Sequence, residues 1–152
     1  MMNIEIREGH IEDRDLIAQF QVDMAWETEA YKLDYDTVIK GVEAVLKNSV
    51  YGVYYVALVD NQVVGSLLTT YEWSDWRNGT VLWIQSVFIA PNFRKSGVYN
   101  QLYSYIRNMV DADDSLKGIR LYVDETNERA REVYRRLGMN GEHYRVFEWM
   151  KE

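Results

Sequence analysis

The sequence predicts an α/β fold of mixed α+β character: one layer of mixed, mostly antiparallel β-sheet with a parallel central pair and helices on both faces. Three observations predict it. Segments of alternating hydrophobicity and segments of helical periodicity follow one another in the order β-α-α-β-β-β-α-β-α-β(β). The apolar strand VLWIQSVFIA passes through a basic, glycine-containing turn directly into an amphipathic helix, and a β-α-β unit of this kind pairs its strands in parallel. The 152 residues hold one proline and no low-complexity stretch, so a single domain over 1–152 is expected.

Each element has its own signal. Ile4 and Ile6 alternate with polar neighbours as a first strand. Asp13 is placed to cap a helix carrying Leu16, Ile17, Phe20 and Met24, and Asp36 to cap a second with Val38, Val42, Val45 and Leu46. Between them lies a loop rich in acids and aromatics, with Trp26, Glu29 and Tyr31. YYVALV and VVGSLLTTY flank Asp60-Asn61-Gln62, a short polar turn that suits a hairpin. WSDWRNG then interrupts, and its Asn78-Gly79 is a turn signal before the long apolar strand. Val98, Leu102, Tyr105, Ile106 and Met109 line one face of the following helix, and IRLYV makes a further strand. Asn127 caps a short helix with Ala130, Val133, Tyr134 and Leu137 on one face, closed by Gly138. The tail EHYRVFEWM reads as a last strand.

Composition narrows the function. A net charge of −7 argues against general nucleic-acid binding and is compatible with a cationic substrate. With no cysteine there is neither a disulfide framework nor thiolate chemistry. His10 and His143 stand far apart without ligand companions at useful spacing, so no metal site is expected. No apolar run is long enough to span a bilayer, and NIEIREGHIEDR lacks a basic-then-apolar signal pattern. A cytoplasmic protein with no membrane partner is expected.

The chemistry concentrates between Val87 and Asn100. A strand entering a helix through a glycine turn aims backbone N–H groups outward, where the helix has no partner for them and its dipole adds positive potential. Such a terminus receives phosphate, and Arg94 and Lys95 stand beside it.

The segment Val87-Phe88-Ile89-Ala90-Pro91-Asn92-Phe93-Arg94-Lys95-Ser96-Gly97-Val98-Tyr99 resembles the first motif of the GNAT superfamily of N-acetyltransferases: a strand, a proline turn, then Arg/Gln-x-x-Gly-x-Gly/Ala opening a helix. Asn127, Ala130, Tyr134, Gly138 and Met139 are similar to its second, Asn-x-x-Ala-x-x-x-Tyr-x-x-x-Gly-Phe. The resemblance covers essentially the whole chain. It departs at Tyr99, where the family has a small residue, and at Met139, a volume-tolerant replacement for phenylalanine.

The resemblance implies acetyl-CoA as cosubstrate. The amides of Lys95, Ser96, Gly97, Val98 and Tyr99, with Asn100, would hold its pyrophosphate, and Arg94 would offer a fork of donors to a phosphate. Along Val87-Phe88-Ile89, the backbone of Val87 and Ile89 would pair with the pantetheine arm. The Val87 N–H would stabilise the developing oxyanion. Asn127 would contact the pantetheine, and Tyr134 would protonate the departing thiolate. The expected reaction is acetyl transfer to a primary amine of a small molecule, by direct attack in a ternary complex. The lack of cysteine agrees with direct attack, since the readiest acyl-enzyme nucleophile is missing.

The acceptor amine has to lose a proton, since only about one alkyl amine in a thousand is neutral at pH 7. Many relatives use a glutamate near the position of Gln85, and a glutamine is no base. Glu72 and Asp75 are the remaining candidates, with Trp73, Trp76 and Arg77 either shaping an acceptor pocket or packing the hairpin. Tyr31 and Glu29 lie where such folds often bind the acceptor. Two other functions stay open: an acyl-CoA-binding or sensing module without catalysis, suggested by Gln85 and Tyr99, and a protein-modifying acetyltransferase. A homodimer is common for such folds.

Overall fold

The computed structural model describes residues 2–151. The chain divides into two compact units, Met1–Arg120 and Leu121–Glu152. The first contains β1 (Ile4–Glu8), α1 (Arg14–Glu29), α2 (Tyr35–Lys47), β2 (Val53–Val59), β3 (Gln62–Ser74), β4 (Gly79–Ile89), α3 (Val98–Ala112) and β5 (Leu116–Arg120). The second contains α4 (Glu128–Arg136). No helix among the described residues is long and apolar enough to cross a membrane.

The five strands lie in the order β1-β2-β3-β4-β5, antiparallel except for the parallel pair β4–β5. Asp60 and Asn61, both at positive φ, make the β2–β3 turn; Asn and Asp tolerate that backbone best after glycine. Alternation along β2 then divides the core. Tyr54, Val56 and Leu58 pack with Ile17 and Ala18 of α1 and Val42 of α2. Tyr55 points the other way, meeting the Tyr105 ring of α3 in a tilted contact at 5.5 Å and donating to the Met109 sulfur at 3.5 Å. Helices therefore cover both faces.

The expected caps are shifted by local chemistry. Asp13 precedes α1, but its carboxylate accepts from the His10 N–H at 2.7 Å and from Arg7 at 2.8 Å instead of capping the helix. Asp34, not Asp36, caps α2 by accepting from the Thr37 N–H. Leu16 is exposed, and the buried face of α1 runs through Ile17, Ala18, Phe20, Gln21 and Ala25.

The segment EHYRVFEWM, residues 142–150, forms no strand, contrary to its alternating pattern. A strand needs a ladder partner, and the second unit contains one helix and no strand among the described residues. The parallel pair accordingly lies at the edge of the described sheet rather than at its centre.

Ser66 shows how tightly the middle of the sheet is packed. It is fully buried opposite Val56 and Phe88, and its hydroxyl meets no hydrogen-bond partner among the described residues. A buried hydroxyl without a partner retains its desolvation cost, so Ser66→Ala is expected to stabilise the protein by about 1 kcal/mol. Urea denaturation checks this, and a less stable variant would show that the hydroxyl is satisfied by water.

Candidate active site

A β-bulge sets the geometry of the candidate site. Between Gln85 and Phe88, β4 carries one residue more than β3 does between Leu68 and Ser66. The extra residue is accommodated at Ser86, which sits at φ 57°, a left-handed conformation costly for a residue with a Cβ. Gly65 makes room alongside: a Cβ there would lie 2.7 Å from Ile89 Cδ1 and 3.0 Å from the Phe88 carbonyl oxygen.

Beyond the bulge, the edge of β4 away from β3 has no strand paired to it among the described residues. Its pairing with β5 ends at Trp83–Arg120. The Ala90 N–H goes to the Val64 carbonyl of β3 at 2.8 Å. Peptide directions alternate along a strand, so the N–H groups of Ile89 and Val87 point to the opposite edge. These are the two residues expected to pair with an extended ligand arm.

The chain then passes Pro91 and reaches the exposed turn Arg94–Gly97. Lys95 at φ 62° and Gly97 at φ 88°, with no positive φ at Ser96, alternate in hand, and such alternation makes successive N–H groups converge. Gly97 caps α3 without a side-chain bond. The first backbone bond of the helix runs from Gln101 to the Gly97 carbonyl at 3.0 Å, so Val98, Tyr99 and Asn100 present their N–H groups at the terminus. A Cβ on Gly97 would meet nothing within 4 Å, so the space before these amides is open. The Tyr99 ring packs on Tyr103 along α3, with ring centroids 6.3 Å apart. The Ser96 hydroxyl is spent inside the turn on the Phe93 carbonyl.

Arg94 differs from expectation. Its guanidinium makes a bidentate pair with Glu27 of α1, donates from Nε to the Ile89 carbonyl at 2.8 Å and lies 5.3 Å from the Phe88 ring centroid. Its donors are thus engaged by Glu27 and the Ile89 carbonyl at the protein surface, with the side chain 38% exposed.

Glu72 and Asp75 do not stand where a base for the β4–α3 junction is needed. Glu72 pairs with Val81 in the β3–β4 ladder, and Val87 lies further along β4 by six strand steps, roughly 20 Å. Both Glu72 oxygens are occupied as well, by the Trp83 indole at 2.7 Å and by Arg120 at 2.6 Å. The Trp83 hydrogen bond and the Arg120 guanidinium hold this carboxyl below its ordinary range, which weakens it as a base. Asp75 is still further away, exposed in the turn beyond Ser74. Trp73 and Trp76 share that end of the hairpin and are exposed.

Gln85 lies near the bulge, donating from Nε2 to the Thr70 hydroxyl at 2.8 Å. Its opposition to Leu68, itself opposite Tyr54, puts it on the α1–α2 face of the sheet. On that face α1 ends at Ala30 in the left-handed conformation, and Tyr31 follows with its side chain exposed.

In the second unit, the Asn127 side chain caps α4 by accepting from the Ala130 N–H at 3.1 Å. Gly138 at φ 86° ends the helix, where the Met139 N–H returns to the Tyr134 carbonyl at 3.1 Å. Tyr134 is half-buried.

The site thus joins a bulged strand, whose Val87 and Ile89 N–H groups face away from β3, to the exposed N-terminus of α3. The chain belongs to the acetyltransferase (GNAT) family, whose model matches residues 10–139. Among solved structures it is similar to "a possible acetyltransferase" from Clostridium difficile 630, with 44% identity over 98% of each chain and a TM-score of 0.91. An aminoglycoside N-acetyltransferase, AAC(6')-Iy, in complex with CoA is similar at 18% identity and TM-score 0.76, covering 99% of this chain and 96% of that one. Ribosomal-protein-alanine N-acetyltransferase from Brucella melitensis biovar Abortus 2308 is similar at 13% identity and TM-score 0.79, covering 98% and 100%. At these two identities the likeness is one of fold. No curated protein matches the chain.

Proposed function

We propose that the protein transfers the acetyl group of acetyl-CoA to a primary amine of a small molecule. The observation that carries this reading is the continuity of the β4 edge at Val87 and Ile89 with the amides of Val98, Tyr99 and Asn100. An extended pantetheine arm needs the first, and a pyrophosphate needs the second.

In this reading the pantetheine pairs with β4 as an added strand. The pyrophosphate rests on the turn from Lys95 to Asn100. The amine nitrogen attacks the thioester carbon, and the Val87 N–H donates to the oxygen as it gains charge. The C–S bond then breaks, with Tyr134 giving its hydroxyl proton to the sulfur and recovering one from solvent. Asn127, whose oxygen is used as a helix cap, contributes its amide N–H groups to the pantetheine. The amine proton goes to water, for which Gln85 offers a carbonyl acceptor while its amide is held by Thr70. The net charge of −7 favours a cationic acceptor. The names of two structural relatives, an aminoglycoside and a ribosomal-protein-alanine N-acetyltransferase, point to amine acceptors.

Acetyl-CoA at a hundred times its Kd is expected to stabilise the protein by about 2.7 kcal/mol, or a rise in Tm of roughly 5–10 °C. No shift at millimolar acetyl-CoA would defeat the cosubstrate assignment. A panel of primary amines is then expected to release CoA thiol. Gln85 at the usual base position favours a second reading, an acyl-CoA-binding module without catalysis. Binding without thiol release for any amine would select it.

A further inference from the structure

The C-terminal turn of α1 breaks a local rule. Glu27 and Glu29 stand in it with no basic residue, although the helix dipole there is negative and disfavours carboxylates. A locally unfavourable placement that persists is compensated by something distant. The compensation is Arg94, separated by 67 residues in sequence, which takes both Glu27 oxygens with its NH1 and NH2 groups. Hydrogen bonding to Arg94 also holds the Glu27 carboxyl below its ordinary range.

Arg94 also makes contacts at the junction itself. Its Nε binds the Ile89 carbonyl at the end of β4, and its guanidinium lies against Phe88. Phe88 in turn touches Phe20 of α1, with ring centroids 5.0 Å apart. The pair therefore ties α1, just before the loop carrying Tyr31, to the strand end and turn that carry this edge and the amides.

We infer that Glu27 and Arg94 form a positioning pair that fixes the β4–α3 junction against α1 for CoA binding, and that Arg94 is not itself a phosphate ligand. This rests on the acetyl-CoA reading above. The two roles for Arg94 predict opposite signs for one substitution. If Arg94 bound phosphate directly, Glu27→Gln would remove a competing negative charge and leave CoA binding unchanged or tighter. If the pair positions the junction, the same change weakens it. Arg94→Lys separates the roles again, because lysine keeps the charge but lacks the fork that takes two carboxylate oxygens.

The experiment is a double-mutant cycle on CoA binding by calorimetry, with hydrogen exchange on the ligand-free proteins. E27Q and R94K are each expected to weaken CoA about fivefold, and the double variant no more than either alone. Exchange is expected to quicken in both single variants at the amides of residues 89–95 and 27–31. CoA binding by E27Q equal to or tighter than wild type, or losses that multiply in the double variant, would overturn the pair. So would exchange unchanged in those segments. If the wild-type protein fails to bind CoA, the cosubstrate reading falls, and the exchange result still decides whether the pair fixes the junction.

Discussion

Gly97→Asp is expected to weaken acetyl-CoA binding by about a hundredfold or more while leaving the fold intact. The backbone at Gly97 (φ 88°, ψ 5°) is left-handed, and aspartate is among the side-chain-bearing residues that best tolerate this region. An added Cβ meets no atom within 4 Å, so the side chain enters open space. Two effects oppose each other in stability: the left-handed backbone costs about 1 kcal/mol, and a carboxylate at a helix N-terminus regains a similar amount. The effects on binding share one sign. The carboxylate competes for the N–H groups of Val98, Tyr99 and Asn100 and places a negative charge against the pyrophosphate. Like charges about 4 Å apart near a protein surface repel by up to about 4 kcal/mol, and about 2.7 kcal/mol is already a hundredfold. Gly97→Asn, with nearly the same shape and no charge, is expected to lose much less. Thermal unfolding and calorimetry with acetyl-CoA check the pair. Wild-type affinity in G97D would remove the phosphates from this turn.

The junction around Gly97 was legible in the sequence because its signals are local. The long apolar run VLWIQSVFIA ends at Ala90, proline and glycine punctuate the turn, and helical spacing begins at Val98. The same holds for α4, bracketed by Asn127 and Gly138. What stayed hidden depends on pairing between distant segments. Ser86 takes the left-handed conformation at the bulge, and nothing about a serine announces it; only the register of β3 on β4 does. In the sequence Glu72 and Asp75 stand at the end of a strand and in the loop after it, where tryptophan, serine and aspartate interrupt the apolar pattern. The structure continues β3 to Ser74, which makes Glu72 a strand residue bound to Trp83 and Arg120. Arg94 was read as a phosphate ligand from its place beside the turn, and Glu27, its partner, leaves one local trace: acids at the wrong end of α1.

Tyr134→Phe is expected to lower kcat by about 10- to 100-fold with little change in the KM for acetyl-CoA. The phenol hydroxyl is assigned to the sulfur, which is neutral in the bound thioester and acquires charge only as the C–S bond breaks. A hydrogen bond to a charged partner is worth roughly 1.5–3 kcal/mol, and to a neutral thioester sulfur far less. The difference is available only in the transition state, so its loss lowers kcat and kcat/KM together. Phenylalanine keeps the ring, and with it the packing of the half-buried side chain on α4. A second measurement separates this role from a general loss of order. The help a proton donor gives depends on how poorly the sulfur leaves unaided, so an acetyl thioester of a more acidic thiol should narrow the gap between wild type and Y134F. A gap that stays constant across thioesters would show that Tyr134 orders the site without supplying the proton, and full turnover in Y134F would move the donor elsewhere.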